Sequence, residues 1–350
     1  MSESSSLRKT IGIWISEKKS HKLNWKELIH VSRRHGYKLV KLDLEQPIEE
    51  QGNLDVFLHK LTDLIAASDQ GDSKAINIIG RVEQYLSNHP NVTIIDPLNN
   101  VRILLNRFTY YSIIKEEVSL QKIGVFTPTF AEFTTNNIEQ NIEIMRQSGV
   151  IFPVICKPTL AHGSKLAHEM ILIFNERGLN VCKPPCVVQS FVNHSAVLYK
   201  VFVVGNRYHI CQRPSLKNFY PSDDLEPIYY STGEVCKAYS QSTLSILDPN
   251  ETQTEMELVE DKIRMIIKVL RKQIGLLLLG FDIVIDNLTG NHAIIDINVF
   301  PSYDNFPNFF EHLLDCIDEN AMNCEYNRLN GFINVGVNSI EYDVTGMNIS

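Results

Sequence analysis

Apolar and polar residues follow three rhythms along this chain: short alternating runs near the N-terminus, longer stretches of helical period, and a return to strict alternation around residue 280. The clearest alternation is Gly280-Phe281-Asp282-Ile283-Val284-Ile285-Asp286, then the turn formers 287–291, then His292-Ala293-Ile294-Ile295-Asp296-Ile297-Asn298. A period of two in Ile- and Val-rich arms about a short turn predicts a β-hairpin. With Asp286 facing His292, counting back sets Val284 opposite Ile294 and Asp282 opposite Asp296, with Asn298 two residues further along the same face. The other face (Phe281, Ile283, Ile285, Ala293, Ile295, Ile297) is wholly apolar and locks the register. Carboxylates directly opposite one another on a sheet repel, so a positive group belongs between them. Three converging oxygen-bearing side chains suit magnesium better than zinc. The plainer alternative is a solvated polar face on an antiparallel sheet.

Upstream, residues 11–15 read as a strand, 24–35 as a helix capped by Asn24 and ended by Gly36, and 37–42 as a second strand, a βαβ unit. A strand at 55–59, a polar loop, a helix at 74–88 and a strand at 92–95 follow, and Asp96-Pro97 opens another helix with Asp96 as its cap. A helical linker over 109–118 leads to an α+β pattern: strand 127–130, helix 137–148, and strands 152–157, 168–174 and 186–191. A hairpin turns at Gly205-Asn206, residues 219–250 read as a long loop, 255–274 as an amphipathic helix and 305–322 as a last helix, with a loose polar tail beyond.

At 350 residues the chain holds one large domain or two to three smaller ones. Its formal net charge of −8 argues against a general nucleic-acid or membrane binder, so an anionic substrate needs a local cluster of cations. The most apolar stretch, 274–285, is interrupted by Gly275, Gly280 and Asp282, and no apolar segment follows a basic start, so a cytoplasmic protein without membrane insertion is expected. Seven cysteines are an odd count, and Cys182 with Cys186 lacks a second pair to complete a zinc site, so reduced structural thiols are expected.

The loop after the first strand has no glycine-rich dinucleotide fingerprint, but Lys19 and Lys60 follow the carboxyl ends of strands, where open α/β sheets bind ligands. Taken singly, each is better explained as a solvated surface lysine. Lys157 ends an apolar strand, where a buried charge needs a partner, and begins the loop Lys157-Pro158-Thr159-Leu160-Ala161-His162-Gly163-Ser164, which is small and polar enough to close over phosphates. The run 187–192, with Gln189 its one amide, fits either an edge that hydrogen-bonds a flat base or a plain core strand. The 196–213 hairpin can deliver Lys200 and Arg213 to the magnesium site.

These residues together resemble an ATP-grasp enzyme, and within that group the inositol-tetrakisphosphate 1-kinase (inositol 1,3,4-trisphosphate 5/6-kinase) family. The matching motifs are Trp14-Ile15-Ser16-Glu17-Lys18-Lys19, His59-Lys60-Leu61-Thr62-Asp63, Ile155-Cys156-Lys157, Ala161-His162-Gly163, the run 187–204, Gln212-Arg213-Pro214-Ser215-Leu216-Lys217-Asn218-Phe219, and Asp296-Ile297-Asn298. The resemblance implies an α/β and α+β chain: a flexible N-terminus (1–9), a small parallel α/β substrate-binding domain (10–108), a central ATP-grasp lid (109–193), a C-terminal ATP-grasp subdomain with the metal hairpin (194–322) and a disordered polar tail (323–350). It implies that Arg107, Lys157, Gln189, Lys200, Ser215 and Thr232 hold ATP, and that Asp282, Asp296 and Asn298 hold two magnesium ions. Lys19, Lys60, His168, Lys200 and Asn298 would hold an inositol polyphosphate, with Lys157, Asp296 and Asn298 closest to the chemistry. Cys236 replaces a serine of better-known members and is set aside. The implied activity is ATP- and magnesium-dependent phosphorylation of inositol 1,3,4-trisphosphate at the 5/6 positions and of inositol 3,4,5,6-tetrakisphosphate at position 1, by a monomer. The competing readings are an ATP-grasp carboxylate-amine ligase and a non-catalytic inositol-phosphate-binding module.

Overall fold

The computed structural model describes residues 9–163, 165–251 and 256–329. The expected flexible N-terminus (all but its last residue), the tail from 330 and Ser164 of the phosphate loop lie outside the described residues. In chain order the strands are β1 (Lys9–Trp14), β2 (Tyr37–Lys41), β3 (Val56–His59), β4 (Thr93–Ile95), β5 (Val125–Phe126), β6 (Phe130–Phe133) and β7 (Val154–Pro158). They continue with β8 (Glu169–Ile173), β9 (Cys186–Ser190), β10 (Val197–Val204), β11 (Arg207–Pro214), β12 (Ile228–Ser231), β13 (Leu278–Ile285) and β14 (His292–Val299).

They form three sheets, ordered β2-β1-β3-β4, β12-β8-β7-β9-β6 and β11-β10-β13-β14-β5. The first is parallel throughout, as short βαβ units require. The expected caps form: Asn24 accepts from the Glu27 amide and Asn137 from the Gln140 amide, and Gly149 ends the second of these helices in the left-handed conformation that glycine tolerates. Asp96 does otherwise than expected. It is buried and caps no helix; its carboxylate accepts from the amides of Leu277 and Leu278 at 2.8 and 3.0 Å, which ties the first sheet to the head of β13.

Five further expectations are corrected. The strand expected at 127–130 is two strands in two sheets, because the chain breaks at Thr127-Pro128; β5 pairs with β14 and β6 with β9. The polar loop after β3 contains the helix Thr62–Asp69, and the 219–250 loop contains β12, an edge strand whose pairing with β8 is non-local. The last helix runs Phe309–Leu329, past residue 322. Within the hairpin, Ile285 rather than Asp286 faces His292, and Val284 faces Ala293. Asp286 belongs to the turn, where its carboxylate accepts from Leu288 and Thr289. Asp282 nonetheless faces Asp296, because a β-bulge after Asp282 restores the register.

Candidate active site

The bulge decides what the hairpin presents. Ile294 turns into the main core with Phe281, Ile283 and Ile297, whereas the consecutive Ile295 and Asp296 both line a cavity of about 370 Å³ between the second and third sheets. Strict alternation cannot put two neighbours on one face, but a bulge can. Asp282, Asp296 and Asn298 share one wall of this cavity. Asp296 accepts from Tyr110 Oη at 2.8 Å through one carboxylate oxygen and from Asn298 Nδ2 at 3.0 Å through the other. Asp282 is paired in register with Lys200 of β10, whose Nζ lies 2.7 Å from its carboxylate.

The two carboxyls are driven apart electrostatically. Burial pushes Asp282 up, only partly opposed by Lys200 and reinforced by the charge of Asp296. Burial would also raise Asp296, but Arg107 and Lys157 outweigh it and hold that carboxyl below its ordinary range. The donors therefore fit a hard cation: oxygen ligands, one firmly ionised carboxylate and a second across the sheet.

Lys157 stands opposite, at the end of β7. Its ammonium donates to Gln189 Oε1 (2.7 Å), Tyr111 Oη (2.8 Å) and the Ile295 carbonyl (2.9 Å). Burial lowers its pKa to about 7 even though Asp296 pulls the other way. Gln189 is committed to this network; its Nε2 donates back to Thr127 and Pro128. Within β9 the run 187–190 has no free edge, since β7 and β6 flank it, whereas Phe191 and Val192 lie beyond the strand and line the cavity. Arg107 begins the helix Arg107–Glu116 and reaches into the lid, donating to the carbonyls of Pro158 (2.7 Å), Leu160 (3.1 Å) and Ala167 (3.1 Å). Its Nε lies 3.9 Å from Asp296.

Ser215 and Thr232 line the same cavity. His194 contacts the Val192 carbonyl through Nδ1 and Ser215 Oγ through Nε2, so a neutral ring must carry its proton on Nδ1 and accept from the serine hydroxyl. Burial keeps it neutral, with a pKa near 4. His168 also lines the cavity, although it is exposed on its outer side. Arg213 is half-buried on the edge strand β11 and is not part of the lining.

Lys19 and Lys60 do not line the cavity. Lys19 lies on the one-turn helix Glu17–Ser20 rather than in a loop. Lys60 donates to the Phe300 carbonyl, and burial of its ammonium followed by the neighbouring Lys19 charge lowers its pKa to about 7. Both lysines act electrostatically on the lid: Lys60 on His162 and Lys19 on His168. The lid loop lies against the first domain: a Cβ on Gly163 would come within 3.1 Å of Ala66 Cβ, on the helix Thr62–Asp69.

Sequence reasoning missed several participants. Tyr110 and Tyr111 hold Asp296 and Lys157, and their spacing from Arg107 on one helical face was the available signal. His162 stands out in the sequence only within Ala161-His162-Gly163, yet its Nε2 is buried without a hydrogen-bond partner and burial pushes its pKa down to about 3. Cys236, set aside above, lines the cavity.

Three sheets of this kind, with a cavity between the antiparallel lid sheet and the mixed sheet that bears the carboxylate pair, define the ATP-grasp class. A solved structure of the ATP-grasp ligase PsnB complexed with minimal precursor superposes with a TM-score of 0.53 over 89% of this chain and 99% of that one, at 13% identity, a likeness of fold alone. Sequence is more specific. Residues 120–319 match the inositol 1,3,4-trisphosphate 5/6-kinase ATP-grasp domain, and residues 10–101 its pre-ATP-grasp domain. The inositol-tetrakisphosphate 1-kinase of Xenopus laevis is 44% identical over 311 residues, covering 88% of this chain and 78% of the relative; that of Danio rerio is 42% identical over 333 residues, covering 92% and 83%. The chain belongs to the inositol 1,3,4-trisphosphate 5/6-kinase family and is a kinase. Among the described residues no helix is long and apolar enough to cross a membrane.

Proposed function

We propose that the protein transfers the γ-phosphoryl group of ATP to a hydroxyl of an inositol polyphosphate, with inositol 1,3,4-trisphosphate (5/6 positions) and inositol 3,4,5,6-tetrakisphosphate (position 1) as acceptors, acting as a cytoplasmic monomer. The observation that carries this reading is the convergence of the facing Asp282–Asp296 pair with Lys157, Lys200 and Arg107 on one cavity. Asp282, Asp296 and Asn298 would hold two magnesium ions, which when bound neutralise charge on the transferred phosphoryl oxygens.

The remaining work is positioning and charge, because phosphoryl transfer asks little covalent chemistry of the protein. Lys157 is aimed by Gln189 and Tyr111 at the phosphates of ATP, and Ser215, Thr232 and the 189–200 segment line the nucleotide. Arg107 holds the carbonyls of the 158–167 loop in place over it. Lys19, Lys60, His168, Lys200 and Asn298 bind the acceptor's phosphates, supplying the cations that an otherwise acidic chain needs locally. Lys200 changes partners in this scheme, leaving Asp282 as the acceptor and metal arrive.

The test is ATP turnover against a panel of inositol phosphates, with product positions assigned. Phosphorylation at the named positions is expected. Turnover that needs a carboxylate and an amine and is trapped by hydroxylamine would mark a ligase passing through an acyl phosphate and overturn the reading.

A further inference from the structure

On the far side of the lid sheet from the nucleotide cavity, three thiols meet. Cys156 on β7, Cys186 at the start of β9 and Cys182, which follows the 3-10 helix Glu176–Val181, bring their sulfur atoms within 4.8 Å of one another. The register explains two of them: Cys156 pairs with Val188 and Pro158 with Cys186, so Cys156 and Cys186 share the face opposite Ile155 and Lys157. Cys182 is brought over that face by the turn that returns the chain to β9. Cys156, Cys182 and Cys186 are 3, 9 and 2% exposed and sit in the lid's own apolar core, among Phe133, Val154, Ile173 and Val188. None is in a disulfide.

Apolar packing gives no reason for three sulfurs to point at one place, and thiols are weak hydrogen-bond partners for each other. As ligands they form a set. Cys182 and Cys186 alone looked too few for a metal, and the third member lies far upstream, where only the β7–β9 pairing reveals it. No histidine, carboxylate or fourth cysteine among the described residues completes a tetrahedron, which structural zinc demands. An all-sulfur donor set instead selects soft ions, Cu(I) among them.

We propose that Cys156, Cys182 and Cys186 form a three-thiolate site for Cu(I) in the core of the lid. Binding makes three Cu–S bonds in place of three S–H bonds and releases those protons to the buffer; copper enters and stays as Cu(I), so no electron is transferred. The ion ties β7, β9 and the 182 turn together directly behind Lys157. It leaves the oxygen ligands of the magnesium site untouched, because the two donor sets differ in softness.

The experiment uses the full chain, reduced, metal-free and anaerobic, titrated with Cu(I) supplied as its bicinchoninate complex. Wild type is expected to withdraw one equivalent of copper and to melt at higher temperature once loaded. Cys182→Ala and Cys156→Ala are expected to hold copper at least about a hundredfold more weakly and to show no rise in Tm, whereas Cys211→Ala should behave as wild type. Apo Tm and circular dichroism establish that each variant is folded, and X-ray absorption of the loaded wild type should show a shell of three sulfurs. Failure to withdraw copper, equal retention by folded Cys182→Ala, a nitrogen or oxygen shell, or tighter four-coordinate binding of Zn(II) would each overturn the proposal. So would mass-spectrometric detection of a Cys182–Cys186 disulfide in protein that takes up no copper.

Discussion

Lys60 illustrates how burial reshapes a single charge. Burial, with Lys19 beside it, lowers its pKa to about 7, far below its value in an unfolded chain. Between about pH 7 and pH 10 the unfolded state therefore binds more protons than the folded one, so the ligand-free protein gains stability from this group as pH rises through that window. Binding runs the other way, since an acceptor phosphate favours the charged ammonium. The KM for the inositol phosphate should rise as pH increases from about 6 to about 9, calorimetry in buffers of different ionisation enthalpy should show net proton uptake at the upper end, and Lys60→Arg should flatten the dependence. A KM independent of pH in wild type would remove Lys60 from the acceptor site. The lysines should also separate by substrate. Each lost charge-assisted contact is worth about 1.5 to 3 kcal/mol, or roughly ten- to hundredfold. Lys19→Ala and Lys60→Ala should weaken the inositol phosphate and leave the KM for ATP close to wild type, and Lys157→Ala should do the reverse; steady-state KM values for both substrates decide, with circular dichroism confirming the folds.

Among the elements, the hairpin shows what alternation can and cannot reveal. The facing of Asp282 and Asp296 was legible because it follows from type and spacing, but the count from the turn was off by one residue and only the bulge made the conclusion right. A bulge has no signature in a run such as Ala293-Ile294-Ile295, since either isoleucine suits the core. The helix 62–69 and β12 were illegible for a different reason: both are short, and their stability comes from contacts distant in sequence. Arg107 could be named only through family resemblance, and its carbonyl contacts in the lid appear only when the helix Arg107–Glu116 meets the 158–167 loop. Because the planar fork bonds three carbonyls at once, Arg107→Lys should raise the KM for ATP at least about tenfold and lower Tm. An unchanged KM for ATP in the folded variant would show that the lid loop needs no such anchor.

Across the whole molecule, an acidic chain brings several cations together in one cleft. The net charge of −8 coexists with Lys19, Lys60, Lys157, Lys200 and Arg107 in or around the cavity. Interactions with a multiply charged acceptor are screened by salt, whereas the apolar cores are not, so the KM for the inositol phosphate should climb steeply with ionic strength while Tm changes little. Equal KM values at low and high salt would contradict this. The layered architecture was legible in outline from element order, but not the way β5 and β12 cross between sequence blocks, nor the Asp96 tie from the first sheet to β13. Those cross-links tie the elements together around the carboxylate pair, and on that pair the proposed function rests. The most direct test is phosphoryl transfer by Asp296→Asn at saturating magnesium, with Tm and circular dichroism recorded on the same sample. Removing the ionised carboxylate while keeping its shape should leave the fold intact and lower kcat by at least about a hundredfold, since several kcal/mol of charge stabilisation disappear; a folded variant that turns over at a near-normal rate would contradict it.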